Sequence, residues 1–262
     1  MEHVRPPRLR LLGAEVDLVT PDQMLAAVEG FVAAGKPAVI ANHNAHSLYL
    51  LRRSPAMRAF FNQADLIEID SAPMIAWGRL LGLPMRSGHR CTYLDWREDF
   101  WALAQANGWR VFYVGGGPGV PEAAREAILD RWPDVALGVH HGYFDMAPHA
   151  TENRALVAQI TAFEPDVIFV GMGMPRQEQW ILANRAHLKQ GVMFSIGAAF
   201  DYEAGVQIAA PRWLAPLGLE WIFRLATQPQ RLARRYLLEP WFLIPAALDD
   251  LRDLREARRA AA

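Results

Sequence analysis

The segment Val167-Ile-Phe-Val-Gly-Met-Gly-Met-Pro-Arg-Gln-Glu-Gln-Trp180 places an apolar run directly before two glycines and a proline-led polar run. The apolar run predicts a buried strand, and Pro175 is typical of the first turn of a helix. A strand, a glycine turn and a helix start, in this order, are typical of a ligand site at the carboxyl edge of a parallel sheet. The segment therefore predicts an α/β fold with Gly171, Gly173 and Pro175 at the site.

Gln177 and Glu178 occupy the first turn of this predicted helix, where their side chains can hydrogen-bond a sugar or a base. The simpler alternative is a tight turn followed by a helix whose dipole favours a glutamate near its N-terminus. The segment has no G-x-G-x-x-G spacing, so it does not match the fingerprint of a dinucleotide-binding fold.

Apolar runs and helical patterns alternate along the first three quarters of the chain. The predicted strands are residues 38–41, 66–69, 109–114, 135–139, 167–170 and 192–196. The predicted helices are residues 45–62, 71–81, 93–107, 121–132, 152–163 and 177–189. This order predicts a Rossmann-like, mostly parallel sheet with helices on both faces.

Composition narrows the class of protein. The chain has 262 residues, 52% of them hydrophobic and 21% charged, with a formal net charge of −1. A globular α/β domain is expected, and the absence of a basic excess argues against nucleic acid as a partner. The single cysteine, Cys91, excludes an internal disulfide framework and favours the reducing cytoplasm. Residues 1–8 lack the apolar core of a signal peptide, and no apolar run approaches a membrane span, so membrane contact is expected to be peripheral.

The sequence changes character after about residue 204, where strand-like runs stop and prolines recur. We therefore predict a core of residues 1–203 and a helical appendage of residues 204–262, which the prolines break into short helices. From residue 212 to 235 the appendage has one acid, Glu220, and five arginines: Arg212, Arg224, Arg231, Arg234 and Arg235. Tryptophans and phenylalanines lie between them, as on a surface that binds a phosphate-bearing, partly apolar partner.

The alternative for the appendage is a layer of capping helices with tryptophans in the core and arginines in solvent. Four of its apolar residues have helical spacing and are predicted to pack inward on one face: Leu214, Leu217, Trp221 and Leu225.

Polar side chains follow two of the predicted strands. Asp70 ends the strand 66–69, where it can act as a base on an alcohol or cap the helix that starts at Ser71. Asn42 and Asn44 follow the first strand, and Asn44 can bind a sugar hydroxyl or cap a helix. Because the carboxyl ends of parallel strands meet at one edge, we expect these side chains to line one crevice.

The run Gly115-Gly-Gly-Pro-Gly119 also joins a predicted strand to a helix. Backbone amides of Gly115, Gly116 and Gly117 can hold a nucleotide diphosphate there. An NAD site is not predicted, because no ribose-binding acid follows at the expected distance. The pair His140-His141 has no Cys or further His at zinc-ligand spacing, and we predict no metal site.

Further segments complete a pattern: Gly197-Ala-Ala-Phe-Asp-Tyr-Glu-Ala-Gly205, Ala210-Pro-Arg-Trp213, Gly218-Leu-Glu-Trp-Ile-Phe-Arg224 and Pro229-Gln-Arg231. Together with the segment quoted first, they resemble the WecG/TagA/CpsF family of glycosyltransferases, glycosyltransferase family 26, over roughly residues 11–242. The resemblance implies transfer of a sugar from a UDP-sugar to a polyprenyl-diphosphate-linked sugar, with inversion and without a metal or other cofactor. Family products enter wall teichoic acid, enterobacterial common antigen or exopolysaccharide assembly.

By this resemblance Asp70 is the catalytic base, in a family Asp-Gly segment that is Asp70-Ser71 here. The family's Thr-x-Asn is Asn42-His-Asn44, and its Arg-Val-Thr-Gly-x-Asp is Arg90-Cys-Thr-Tyr-Leu-Asp95. These departures leave the donor and acceptor sugars open. The candidate substrate-binding residues are Asn42, Asn44, Arg90, Thr92, Asp95, Gly115, Gly116, Gly117, Gly171, Gly173, Pro175, Gln177, Glu178, Asp201, Arg212, Arg224 and Arg231.

The resemblance also implies that the appendage closes over the site, with Arg212, Arg224 and Arg231 on a diphosphate. It would then meet the membrane surface at the inner face of the cytoplasmic membrane. One alternative is a nucleotide-dependent oxidoreductase or epimerase on the same scaffold, and another is a non-catalytic nucleotide-sugar-binding protein at the membrane. Whether the chain forms a homo-oligomer is open.

Overall fold

The structure, a computed structural model, describes residues 6–188, 190–214 and 219–260. The strands in these ranges are β1 Arg8–Leu11, β2 Ala14–Asp17, β3 Ala38–His43, β4 Leu66–Ile69, β5 Arg110–Gly115, β6 Ala136–His140, β7 Val167–Gly171 and β8 Val192–Ser195. The α-helices are α1 Pro21–Ala34, α2 Ala45–Leu51, α3 Pro55–Asn62, α4 Ala72–Leu80, α5 Tyr93–Asn107, α6 Val120–Arg131, α7 Thr151–Phe163, α8 Arg176–Asn184, α9 Ala199–Glu203, α10 Glu220–Thr227, α11 Pro229–Leu237 and α12 Ile244–Ala260. Short 3-10 helices cover Ser87–His89, Arg212–Leu214 and Glu239–Leu243.

Six strands form one parallel sheet in the order β4-β3-β8-β7-β5-β6, which confirms the predicted Rossmann-like fold. The chain leaves β5 towards β6 on one side and leaves β7 towards β8 on the other. The connections therefore diverge between β5 and β7, whose last residues, Gly115 and Gly171, are partners in the register. Ligands of open α/β sheets bind at such a switch point.

Helices cover both faces of the sheet, which is why its strands are continuously apolar. One face buries the aromatic side chains of Trp96, Trp101, Phe169, Phe194 and Phe200. The other face buries those of Phe60, Phe61, Phe112 and Trp180. Close packing of large rings on both sides leaves little room for strand movement, so the strand ends are held in fixed positions.

An N-terminal hairpin of β1 and β2, followed by α1, was not predicted. The strands have four residues each, and a salt bridge fixes the hairpin: the Arg8 guanidinium donates to both Asp17 carboxylate oxygens at 2.8 and 2.7 Å. Asp17 also accepts from the Ile67 amide at 2.8 Å, which ties the hairpin to β4. Helix α1 has the capping box of Thr20 and Gln23, with Pro21 in its first turn.

Two predicted helices differ from the observed helices by more than one residue at an end. Residues 45–62 form two helices, α2 and α3, because Pro55 cannot donate a helical hydrogen bond and the Ser54 hydroxyl caps α3 by accepting from the Met57 amide. The helix predicted for residues 177–189 ends at Asn184, and its predicted last residue, Lys189, lies outside the described residues.

The appendage is helical as predicted, but α12 is not short, since it has 17 residues. Pro245 lies in its first turn, where the missing amide proton leaves no helical bond unmade. The prediction that four apolar residues pack inward on one helical face is wrong. Leu214 lies in a separate 3-10 helix and Trp221 is 39% exposed, while Leu217 falls outside the described ranges.

Several contacts dock the appendage on the core, two of them in its C-terminal part. The Asp250 carboxylate on α12 accepts from the Leu12 amide at 3.0 Å and from the Trp77 indole at 2.9 Å. Phe242 packs edge-on against Tyr49 of α2, with ring centroids 5.4 Å apart. Helices α10 and α11 precede both of these anchors in the chain. No helix in the described part of the chain is long and apolar enough to cross a membrane.

Candidate active site

The ends of β3 and β4 bring the predicted base next to the other polar residues. The Asp70 amide donates to the His43 carbonyl at 2.9 Å, which continues the ladder of these strands by one residue. Beside β4, the Cys91 amide donates to the Ile69 carbonyl at 2.9 Å. Arg90 is bridged to Ile69, so Asp70 and Arg90 lie on adjacent backbone segments.

Asp70 does not cap the following helix. The Ser71 hydroxyl accepts from the Met74 amide at 3.4 Å and Ser71 is the N-cap of α4. The alternative role of Asp70 as a helix cap is therefore wrong, and its carboxyl is left to face the crevice.

Four charged side chains surround the Asp70 carboxyl. Burial is the largest effect and raises the pKa of Asp70 to about 7. The cations of Arg224 and Arg90 lower this pKa, and the carboxylates of Glu220 and Asp95 raise it. A carboxyl with a pKa near neutrality can take up and release a proton under physiological conditions.

Arg90 joins the core to the appendage. It forms an ion pair with Glu220 of α10, and its Nη2 lies 3.2 Å from an Asp95 carboxylate oxygen. The same carboxylate accepts from the Thr92 hydroxyl at 2.9 Å at the start of α5. Arg90, Thr92 and Asp95 are thus brought together beside Asp70, and Glu220 of α10 contacts Arg90.

Arg224 approaches the site from α10. Its Nε atom is buried and has no hydrogen-bond partner among the described residues. Its charge acts on Asp70 and on the hydroxyl groups of Tyr202 and Tyr236. A buried guanidinium nitrogen without an acceptor is a place where an anion would be stabilised.

Two further arginines of the appendage lie near Arg224. Arg231 acts on Asp201 of α9, whose pKa is raised by burial and lowered by this cation. Arg235 was not proposed as a site residue, yet burial lowers its pKa and the charges of Arg231 and Arg224 lower it further. Its spacing of four residues from Arg231 was the available signal. Arg212, the remaining predicted arginine, lies in the 3-10 helix before α10.

The two predicted asparagines have different surroundings. The Asn44 side chain accepts from the His46 and Ser47 amides at 3.0 and 3.1 Å, so it caps α2. The Asn42 amide nitrogen donates to a carboxyl oxygen of Glu68 at 3.0 Å. Glu68 was missed, although a glutamate inside the apolar strand β4 was a visible anomaly.

The predicted glycines meet at the switch point because strand ends approach closely there. A Cβ on Gly115 would lie 2.5 Å from the Gly171 carbonyl oxygen, and one on Gly171 would lie 2.5 Å from that of Gly197. Gly116 and Gly173 have φ angles of 64° and 75°, which favour glycine. Gly115 and Gly171 are therefore buried against neighbouring backbone. Gly116, Gly117 and Gly173 are partly exposed, and there a diphosphate can approach the loops.

Gln177 and Glu178, after the loop that includes Pro175, are buried below this edge. The Gln177 side-chain oxygen accepts from the Gly173 and Gly197 amides at 3.2 and 3.0 Å, and its nitrogen donates to Glu178 at 2.8 Å. Burial raises the pKa of Glu178 to about 7. Gln177 thus holds the glycine loops by hydrogen bonds, and Glu178 holds Gln177. The sequence instead predicts that these two side chains contact a ligand.

Among the residues that the structure describes, no group of three or more His, Cys, Asp or Glu side chains could hold a metal ion. The His140 ring lies 2.7 Å from the His141 carbonyl oxygen, so this pair makes a local contact.

Comparison with known proteins decides the class. The sequence model of the Glycosyl transferase WecG/TagA/CpsF family matches residues 9–257. The chain belongs to this family. The protein is therefore a glycosyltransferase, as predicted, and the alternative of an oxidoreductase or epimerase is wrong.

Curated relatives of the glycosyltransferase come from Staphylococcus aureus. Proteins named N-acetylglucosaminyldiphosphoundecaprenol N-acetyl-beta-D-mannosaminyltransferase, from strains NCTC 8325 / PS 47, COL and MSSA476, are each 29% identical to it over 243 residues. The similarity covers 89% of this chain and 90% of each relative.

Proposed function

We propose that the protein transfers a sugar from a UDP-sugar to a polyprenyl-diphosphate-linked saccharide, with inversion and without a metal, and that Asp70 is the base. One observation carries the proposal: the Asp70 carboxyl, with a pKa of about 7, lies at the carboxyl end of β4 between the cations Arg90 and Arg224. The names of the staphylococcal relatives support a lipid-diphosphate sugar as the acceptor.

Inversion follows from a single displacement. The acceptor hydroxyl gives its proton to the Asp70 carboxylate while its oxygen forms a bond to the anomeric carbon of the donor. The bond between that carbon and the UDP oxygen breaks, and its electron pair leaves with the β-phosphate. A base with a pKa near the working pH is mostly ionised and still accepts a proton readily.

The departing UDP gains negative charge, which needs preorganised positive groups. Arg224, with its unpartnered buried Nε, and Arg231 and Arg235 beside it supply that charge from the appendage. Guanidinium groups suit a diphosphate because each can donate two parallel hydrogen bonds. By family resemblance, Arg212 belongs to the same group.

The donor nucleotide is assigned to the switch point between β5 and β7. The glycines at 115, 116, 117, 171 and 173 meet there: Gly115 and Gly171 let the strand ends approach closely, and Gly173 has open space beside the backbone. The N-terminus of α6 follows the first of these loops, and its dipole favours an anion. The leaving diphosphate would then lie between the glycine loops and the appendage arginines.

The acceptor's lipid tail stays in a bilayer, so the site must come to the membrane surface. The appendage has large exposed apolar side chains, among them Trp241 at 68% and Trp213 at 67% exposure. Exposed tryptophans beside arginines suit the headgroup region of a membrane with anionic lipids. We place the protein peripherally at the inner face of the cytoplasmic membrane. Self-association of the chain stays a prediction.

The test is UDP release from a panel of UDP-sugars with a short-chain polyprenyl-diphosphate sugar as acceptor and EDTA present. Wild type is expected to release UDP only with acceptor, and Asp70→Asn is expected to lose ~10²–10⁴-fold in rate. A melting temperature for each protein controls for folding. Binding of UDP-sugars without turnover across an acceptor panel would support the non-catalytic alternative. Full activity of Asp70→Asn would exclude this base.

A further inference from the structure

A buried glutamate lies directly behind the proposed base. Glu68 is the charged residue of the otherwise apolar strand β4, and it is only 3% exposed. A carboxyl group in such a place costs free energy unless it is hydrogen-bonded and kept neutral. Burial raises the pKa of Glu68 to about 8, and the charges of Asp70 and Asp95 add to this effect. At neutral pH Glu68 therefore sits near Asp70 without repelling its carboxylate.

Strand geometry places three polar side chains in a row. Residues two apart on a strand face the same side, so Glu68 and Asp70 lie on one face of β4. Asn42 of β3 is the register partner of Glu68, and its amide nitrogen donates to the Glu68 Oε1 atom at 3.0 Å. Asn42, Glu68 and Asp70 thus form a continuous polar strip at the carboxyl edge of the sheet.

The hydrogen bond fixes which way the Asn42 amide points. Its nitrogen is taken by Glu68, and Asn42 is only partly buried, so its oxygen is the atom left for a ligand. On Glu68 the Oε2 atom is buried without a hydrogen-bond partner among the described residues, so the bond from Asn42 to Oε1 is the one that orients this carboxyl. Because Glu68 is almost fully buried, we expect it to act on a substrate through Asn42 and not by direct contact.

We infer that Glu68 is a positioning residue that holds the Asn42 side-chain oxygen beside Asp70, where it accepts a hydrogen bond from a hydroxyl of the acceptor sugar. This inference rests on the proposed function, because it places the acceptor at Asp70. Asn42 and Asp70 together then select an acceptor sugar that has a second hydroxyl next to the attacking hydroxyl. An acceptor without that hydroxyl leaves the Asn42 oxygen desolvated and unpaired, which costs binding free energy.

A double-mutant cycle tests the inference with the full-length protein. The variants are Asn42→Ala, Glu68→Met, their combination, and Glu68→Gln, each assayed with the lipid-diphosphate acceptor and with analogues that each lack one sugar hydroxyl. Glu68→Gln keeps an oxygen that accepts from Asn42, so we expect it to stay within about twofold of wild type. Asn42→Ala and Glu68→Met should each lower kcat/KM by about tenfold through the acceptor KM, with the donor KM unchanged.

Coupling is the decisive result. If Glu68 acts through Asn42, the combined variant is no slower than Asn42→Ala, and both lose the wild-type discrimination against one deoxy analogue. Ile67→Val is the matched control, because Ile67 packs on the opposite face of β4 and should leave the acceptor KM unchanged. Independent, additive losses, or losses that only follow the melting temperature, would overturn the inference.

The two proposals fail in different ways. Wild-type turnover with an unchanged acceptor KM in Asn42→Ala removes the inference and leaves the proposed function standing. No UDP release by wild type with any acceptor removes the proposed function, and the inference falls with it.

Discussion

The sheet edge and the appendage differ in which side chains they bury. At the sheet edge, large apolar side chains are buried under the strand ends and the glycine loops, and Asp70 is held by strand backbone. In the appendage, Trp241 is exposed while the charged Glu239 is buried against His46 of α2, at 2.6 Å. The difference indicates a division of work. The core fixes the proposed base, and the appendage brings cations and an apolar surface near it.

Removal of one appendage cation tests this division most directly. Arg224→Ala is expected to lower kcat by roughly 10²–10³-fold, as for the loss of one donor to a developing negative charge. In the wild type the Arg224 cation lowers the pKa of Asp70. Its loss should raise this pKa, so the variant should need a higher pH for full activity. Steady-state UDP release with a lipid acceptor measures both effects.

Arg234→Ala is the matched control for this prediction. Arg234 carries the same charge on the neighbouring helix α11, but its side chain is exposed. It should keep its activity within about threefold, because exposed charges act weakly through water. Equal losses in the two variants would mean that the overall charge of the appendage matters, and not the place of Arg224.

The pH dependence of the rate is the next largest effect. Asp70 must be ionised to act as a base, and its raised pKa of about 7 keeps it protonated in acid. We expect kcat/KM to fall about tenfold per pH unit below pH 7 and to level off above it. A profile from pH 5.5 to 9 checks this. A limb near pH 4, the ordinary range of an aspartate, would contradict the burial of Asp70 between these charges.

Substitution of the exposed tryptophans tests whether the appendage binds the membrane. Trp213→Ser and Trp241→Ser together should weaken sedimentation with vesicles of phosphatidylglycerol and phosphatidylcholine by about tenfold or more, because each removes a large apolar surface. The melting temperature should not change. Leu80→Ser, at the end of α4, is the control, since Leu80 is 70% exposed but lies outside the appendage. Equal loss in the control would remove the appendage as the membrane contact.

Much of the sheet edge could be predicted from the sequence because it depends on local patterns. Buried parallel strands are continuous apolar runs, and Asp70 is the first polar residue after one of them. Helix α5 begins and ends where predicted. Thr92 and Asp95 form a capping box, and Gly108 takes the left-handed conformation after the last turn.

The rest depended on partners far along the chain. Gln177 has the spacing of a ligand contact, but its oxygen is taken by the amide of Gly197, which lies 20 residues away. The N-terminal hairpin has strands too short to give a periodic pattern, and Asp17 ties it to the core through the amide of Ile67, which lies 50 residues away. In the appendage some apolar residues are buried, such as Leu232, but Trp221 is exposed, and helical spacing alone does not separate the two cases.

The smallest expected effect is the contribution of the buried Glu178 to the pH dependence of the protein's stability. Glu178 is buried with a pKa of about 7, whereas an unfolded glutamate ionises near pH 4.5. Its neutral form is thus favoured by folding. This stability is present below pH 4.5, is lost as the pH rises towards 7, and is constant above it. Glu178→Gln keeps the acceptor for Gln177 and removes the titration. Its melting temperature relative to wild type should therefore be higher at pH 8 than at pH 5, by roughly 5 °C.

Glu126→Gln is the control for this stability effect, because Glu126 is an exposed glutamate on α6. Its difference from wild type should be the same at both pH values. If Glu178→Gln behaves in the same way, the carboxyl must be ionised in the folded protein, which the brace under the glycine loops does not allow without a cation beside it. Such a result would mean that the sheet edge contains an accessible charge at this position. The contrast with the appendage, where buried charges meet cations, would then be lost.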